Sequence, residues 1–126
     1  MALNEAQCLP TILPQIKKEW ADQILLVDGQ STDATVQLAQ SYGIQTYVQK
    51  KKGIRHAYIE AMPLVTGDVV LTMSPDGNCD VTRIPALLNR ANWADLAIGS
   101  RYMGCKSEDD DLITGFGNWC FRYMTR

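Results

Sequence analysis

Short apolar runs of β-forming residues alternate along this chain with longer stretches of helical periodicity, and that alternation restricts the fold to an α/β sheet. Ile24-Leu25-Leu26-Val27 reads as a buried strand, as do Val69-Val70-Leu71-Thr72-Met73 and Leu96-Ala97-Ile98; the more polar Gln45 to Gln49 suits an edge. Thr32 to Ser41 is a predicted helix with Ser31 as its N-cap and Gly43 as its stop. Ile54 to Leu64 places Ala57, Tyr58, Ala61 and Met62 at helical spacing, and Thr82 to Arg90 turns Ile84, Leu87 and Leu88 inward behind a cap at Asp80 or Thr82. A less regular first helix lies within Glu5 to Trp20, where Pro10 suits a first turn and Pro14 removes a hydrogen-bond donor.

Strand–helix–strand connections of this length close as right-handed crossovers, so the predicted sheet is mostly parallel with flanking helices. In such sheets ligands collect at the carboxyl ends of the strands. Three strands deliver polar turns to that rim: Asp28-Gly29-Gln30-Ser31-Thr32-Asp33, Ser74-Pro75-Asp76-Gly77-Asn78 and Gly99-Ser100-Arg101.

The 126 residues make one main domain, assigned to 1–105, followed by an acidic loop and an amphipathic helix over 106–126. That tail carries Glu108-Asp109-Asp110-Asp111 and a stripe of Phe116, Trp119, Cys120 and Tyr123 that needs a partner surface. A net charge of −2 and a pI near 5.2 argue against nucleic acid as a partner. No apolar run approaches a membrane span, and Met-Ala-Leu-Asn-Glu lacks the pattern of a signal peptide. The expected location is cytoplasmic, with a peripheral position at the membrane as the variant. Cys8, Cys79, Cys105 and Cys120 include no C-x-x-C pair and read as reduced thiols without zinc.

Asp76 is the first candidate for chemistry. Its Pro-Asp-Gly turn fixes the carboxylate's direction, and one carboxylate can hold Mg or Mn when a diphosphate and water complete the shell. Asn78 can add a carbonyl oxygen; the competing reading of Ser74 to Asn78 is a plain β-turn. Asp28 can accept hydrogen bonds from a base or a ribose, with Ser31 and Thr32 forming a polar wall at the next helix; the alternative is a capping arrangement. Asp33 fits a first-turn acid. Lys50-Lys51-Lys52-Gly53, with Arg55-His56, sets cations and a flexible glycine at a strand-to-helix corner, where they face a phosphate or simply form a solvated basic loop. Arg101 can clamp a phosphate with its planar fork, or can be a surface residue. His56 has no triad partner. No G-x-G-x-x-G, P-loop or G-x-S-x-G motif is present.

Ala2-Leu3-Asn4-Glu5, Val27 to Asp33, Gly67-Asp68 before Ser74 to Asn78, and Ala94 to Tyr102, taken in order, resemble glycosyltransferase family 2 in its dolichol-phosphate mannosyltransferase-like branch, over residues 2 to 103. The resemblance implies a Rossmann-like, nucleotide-sugar-binding domain of the glycosyltransferase A type. It places Asn4, Glu5 and Asp28 in the nucleotide pocket, the metal on Asp76 with Asn78, and Arg101 near the phosphates. Ser31 and Gly53 complete the expected nucleotide-binding set. The implied donor is a nucleoside-diphosphate sugar, and the branch suggests a polyprenyl or dolichyl phosphate acceptor, already ionised and in need of no general base. Two departures stand out. The family's Asp-x-Asp is Ser74-Pro75-Asp76 here, and its first strand, central in the sheet, precedes Ala-Leu-Asn-Glu, where this chain has only Met1. The expectation is therefore a sheet lacking its usual first strand, in a chain truncated at both ends and exposed to strand exchange. The rival function is a non-catalytic domain that folds through homo-oligomerisation. A sugar-nucleotide pyrophosphorylase would need a glycine-rich basic loop after the first strand, which is absent.

Overall fold

The computed structural model describes residues 1–99. Its centre is a β–α–β unit: β1 (Leu25–Asp28) and β2 (Gln45–Val48) run parallel, Leu25 beside Gln45 and Asp28 beside Val48, joined by helix α2 (Thr35–Ser41). Helix α1 (Leu9–Ile12) precedes the unit, and α3 (Ile54–Ala61) and α4 (Ile84–Ala91) follow it.

Side chains of a strand alternate between faces, and β1 uses both. Leu26 packs with Ala2, Leu9 and Ala39 on the side of α1 and α2, whereas Val27 packs with Ala57 and Ala61 of α3 on the other. A third cluster, Ile12, Val81 and Ile84, seats α4 against α1 with Leu71 and Met73 half-buried beside it. The two alanines of α3 let that helix lie close to the strand.

Prolines set the helix lengths. Pro10 stands in the first turn of α1, and Pro14 converts the continuation into a 3-10 turn, Leu13–Gln15. Pro63 ends α3 at Ala61, short of the expected Leu64, and leaves Met62–Leu64 as a 3-10 turn with Met62 exposed. Asp80 accepts the Thr82 amide at 3.0 Å and opens Val81–Arg83, which runs into α4. Gly43, at φ 73°, ends the α2 region as expected.

Three expectations need correction. Val69 to Met73 and Leu96 to Ile98 are not strands, and neither is buried throughout: Val69 is 55%, Leu96 74% and Ile98 75% exposed. A strand exists only through its ladder. The backbone beside β1's second edge is that of Met1 and Ala2, which makes a single parallel bridge from Ala2 to Asp28 and one bond from the Met1 nitrogen to the Met73 carbonyl, 3.0 Å. One bond does not organise a strand at 69–73, and 96–98 then has no ladder to join. Third, α2 starts at Thr35, not Thr32, and Ser31 does not cap it; the Asp33 carboxylate takes the Thr35 amide at 3.0 Å.

Cys8 and Cys79 are free. No helix of the described residues is long and apolar enough to cross a membrane. Arg101, Cys105, Cys120, the acidic run, the aromatic stripe and the whole 106–126 segment lie outside the described residues.

Candidate functional site

The site begins with the turn after β1. Asp28 is 1% exposed, and its Oδ2 accepts the backbone amides of Gln30 and Ser31, each at 2.9 Å, while Oδ1 accepts the Ser31 hydroxyl. Those bonds hold Gln30 at φ 70°, a left-handed conformation that side chains ordinarily avoid. Gly29 suits the turn for a different reason: a Cβ there would lie 3.3 Å from the Ala2 carbonyl oxygen, a tight approach that the backbone would have to relieve.

The Asn4-Glu5 segment is sutured to the same turn. The Asn4 amide donates to the Ser31 hydroxyl oxygen at 2.9 Å, and the Asn4 side-chain oxygen accepts the Thr32 amide at 2.9 Å. The Glu5 amide donates to the Thr35 hydroxyl oxygen at 2.8 Å, and the Ala6 amide to Asp33 at 3.1 Å. Asn4 itself sits at φ 58°. The Thr35 hydroxyl and two amides bonded to Asp33 hold its carboxyl below the usual range against the opposing effect of burial.

The basic loop forms the next wall. Gln49 is buried and donates its amide to the Asp28 carbonyl at 2.9 Å. The Gln30 side chain reaches across to donate to the carbonyls of Gln49 and Lys50, at 3.2 and 3.1 Å. From α3, Glu60 accepts the Lys50 amide at 2.6 Å, the Lys51 amide at 3.1 Å and the Tyr47 hydroxyl at 3.1 Å. Gly53 takes φ 108° as the chain enters α3.

Together these segments line an open cavity of about 700 Å³ at the carboxyl end of β1. Its buried lining is apolar at Ala2, Val27 and Ala57 and polar at Gln49, and its exposed lining sets polar Asn4, Thr32, Lys52 and Ser74 beside apolar Leu3, Ile54 and Tyr58. The volume falls in the range of small-molecule sites, about 300–1,000 Å³. Of the sequence-derived candidates, Asn4, Glu5, Thr32, Lys52 and Gly53 line the cavity. Asp28 and Ser31 stand behind the wall, holding the turn. Asp76 and Asn78 are not among the lining residues; they bond to each other, the Asn78 amide donating to Asp76 Oδ1 at 2.9 Å. Burial pushes the Asp76 carboxyl up, but hydrogen bonds from Asn78 and Ser74 outweigh it and leave the group below its ordinary value. Burial lowers the pKa of the Met1 amino group against the opposing charge of Asp76. No cluster of three or more His, Cys, Asp or Glu side chains suited to a metal occurs among the described residues.

Gln30, Gln49, Tyr58 and Thr72 also line the cavity and were not singled out for it from sequence. Helical spacing places Tyr58 on α3 but says nothing of a ligand; in the structure its hydroxyl donates to the Thr72 hydroxyl oxygen, 3.5 Å away.

The model of the family described as glycosyl transferase family 2 matches residues 1–122. Among curated proteins, an uncharacterized glycosyltransferase of Mycobacterium tuberculosis is 32% identical over 100 residues, covering 79% of this chain and 45% of that protein. The low-salt glycan biosynthesis hexosyltransferase of Haloferax volcanii is 32% identical over 108 residues, 81% of this chain and 26% of its own length. The glycosyltransferase AglJ of the same organism is 30% identical over 117 residues, 91% of this chain and 39% of its length. The chain thus spans less than half the length of these relatives. No solved structure gives a significant match.

Proposed function

The chain belongs to glycosyltransferase family 2, and from that premise we propose that its cavity binds a nucleoside-diphosphate sugar as the donor half of a sugar-transfer enzyme. The observation that carries this is the convergence of Asn4-Glu5, the Gln30 turn, Lys52-Gly53 and Ser74 on one cavity at the carboxyl end of β1. The apolar part of the lining suits the faces of a base and sugar, and the polar side chains beside it suit their edges and the phosphates.

A divalent cation, Mg or Mn, fits this arrangement only if the donor supplies most of its ligands. Asp76 offers one carboxylate, kept ionised by its hydrogen bonds, with the Asn78 side chain two residues on. Such an ion would neutralise charge on the departing nucleoside diphosphate. The chain's own residues bind and orient: Asn4 and Gln30 are fixed by the Asp28 turn, so their positions are set before a ligand arrives. We extend the reading to a polyprenyl-phosphate acceptor, whose ionised oxygen attacks the sugar carbon as the sugar–phosphate bond breaks and needs no base from this domain.

A second reading, association of the domain with itself by strand exchange, is favoured by the exposed Val69, Val70, Leu96 and Ile98. One experiment separates the two. Thermal unfolding is followed with UDP, GDP and their sugars, with and without manganese, beside sedimentation of the free protein. At a hundredfold excess over Kd a ligand should stabilise the domain by about 2.7 kcal/mol. Asp76→Ala should remove the manganese-dependent part of the shift. A stable dimer that responds to no nucleotide refutes the donor-site reading.

A further inference from the structure

Three consecutive lysines, Lys50 to Lys52, follow β2, yet only the last of them lines the cavity. Such a loop would ordinarily be splayed into solvent by its own charge. Here its backbone is gripped from two sides. The Gln30 side chain donates to the carbonyls of Gln49 and Lys50, and the Glu60 carboxylate accepts the amides of Lys50 and Lys51. Glu60 is itself steadied by the Tyr47 hydroxyl.

The choice of partners matters. Glu60 stands beside three lysines but binds peptide nitrogens, and the ion pairs among the described residues, Lys17 with Glu19 and Arg83 with Asp80, involve none of these lysines. Among the described residues no carboxylate lies at salt-bridge distance from the Lys52 ammonium, which stands at the rim of a cavity that Glu5 also lines, with Gly53 beside it keeping that stretch of wall free of side chain. An unneutralised cation so placed is suited to an anionic ligand.

We propose that Lys52 binds the diphosphate of the donor and that Gln30 and Glu60 are positioning residues whose clamp on the loop presents it. The proposal rests on the donor-site reading above. It is tested by calorimetric titration of the wild-type chain, Lys52→Met, Glu60→Gln and the double variant with UDP and GDP, and in parallel with uridine and guanosine. Loss of one charge-assisted contact should weaken diphosphate binding about tenfold in Lys52→Met. Glu60→Gln has one oxygen left for two amides and should weaken it about three- to tenfold. Nucleoside binding should be unchanged in both. The double variant should be no weaker than Lys52→Met, since a misplaced loop has no cation left to misplace. Gln30→Met, similar in length but unable to donate, should behave as Glu60→Gln toward the diphosphates. Lys52 is exposed, so its variant folds whether or not Glu60 is needed for stability. Wild-type diphosphate affinity in Lys52→Met, equal losses for nucleosides and diphosphates in Glu60→Gln, or additive losses in the double variant would each overturn the clamp and leave the donor site standing. A wild-type chain that binds neither nucleosides nor diphosphates overturns both.

Discussion

Removing the Asp28 carboxylate should cost stability before it costs anything else. The group accepts two backbone amides and a hydroxyl while 1% exposed, and all three donors belong to one turn, in which Gln30 is held in a left-handed conformation. In Asp28→Ala the amides of Gln30 and Ser31 lose their acceptor, at about 1–3 kcal/mol for each unsatisfied buried group; both are only half-buried, so the lower part of that range applies. The expected loss is about 2–4 kcal/mol, a large share of the roughly 5–15 kcal/mol that holds a typical domain. Asp28→Asn behaves differently. Its oxygen can take the place of Oδ2 and keep both amides, and its nitrogen can donate to the Ser31 hydroxyl, so the loss is chiefly that of charge assistance, about 1 kcal/mol. Urea unfolding of the three proteins, compared at a common slope so that midpoints report stability, measures both values. The reasoning fails if alanine costs less than about 1 kcal/mol, below the lower end of that expected penalty. A separate outcome would contradict the placement of Asp28 behind the wall: an asparagine variant with an unchanged urea midpoint that no longer binds any nucleotide, because only a carboxylate touching the ligand could produce it.

Two further outcomes follow from the same walls. Gly53 lies at φ 108° and ψ 148°, territory nearly closed to other residues, so Gly53→Ala should lower stability by about 1–3 kcal/mol even though a Cβ there meets no atom within 4 Å; a variant with an unchanged melting temperature would contradict this. Acid should also weaken the fold. Asp33 and Asp80 are held below 3.8 chiefly by hydrogen bonds from Thr35 and Thr82, and Glu60 below 4.5 chiefly by the Lys50 amide. Depressed carboxyl groups contribute stability above their unfolded values and lose it as pH falls through the folded ones. Urea midpoints should therefore be level with respect to these groups above about pH 5 and should drop toward pH 3; a midpoint that holds down to pH 3 would refute the assignment.

The β–α–β unit and the helices around it were legible because their signals are local. Apolar runs gave β1, edge-like polarity gave β2, and Gly43, Pro10 and Pro14 marked ends and breaks that the backbone respects. Pro63 carries an equally local signal, and it ends α3 at Ala61, short of the Leu64 expected from periodicity. Val69 to Met73 and Leu96 to Ile98 fail for a non-local reason. Their sequences suit strands, but pairing depends on what backbone lies alongside, and beside 69–73 that is Met1. The three-residue error at the start of α2 has a similar origin. Ser31 is a good cap by type, but its hydroxyl is already engaged by Asp28 and by the Asn4 amide, so Asp33 takes over. Competition of that kind between distant segments leaves no mark in a local pattern.

The acids of this domain explain why the cavity was harder to read than the sheet. Asp28, Asp33, Glu60, Asp76 and Asp80 all accept backbone amides. An aspartate in a turn after a strand has the same sequence signature whether it faces a ligand or closes its own turn, since the short side chain that reaches a metal also reaches the amide two residues on. The lysines differ: Lys50 to Lys52 form no ion pair with these acids. The rim carries one lysine, Lys52, and one carboxylate, Glu5, while the neighbouring carboxylates of Asp28 and Glu60 are committed to backbone amides. Lys52 is then the group on this rim with positive charge to offer an anionic donor.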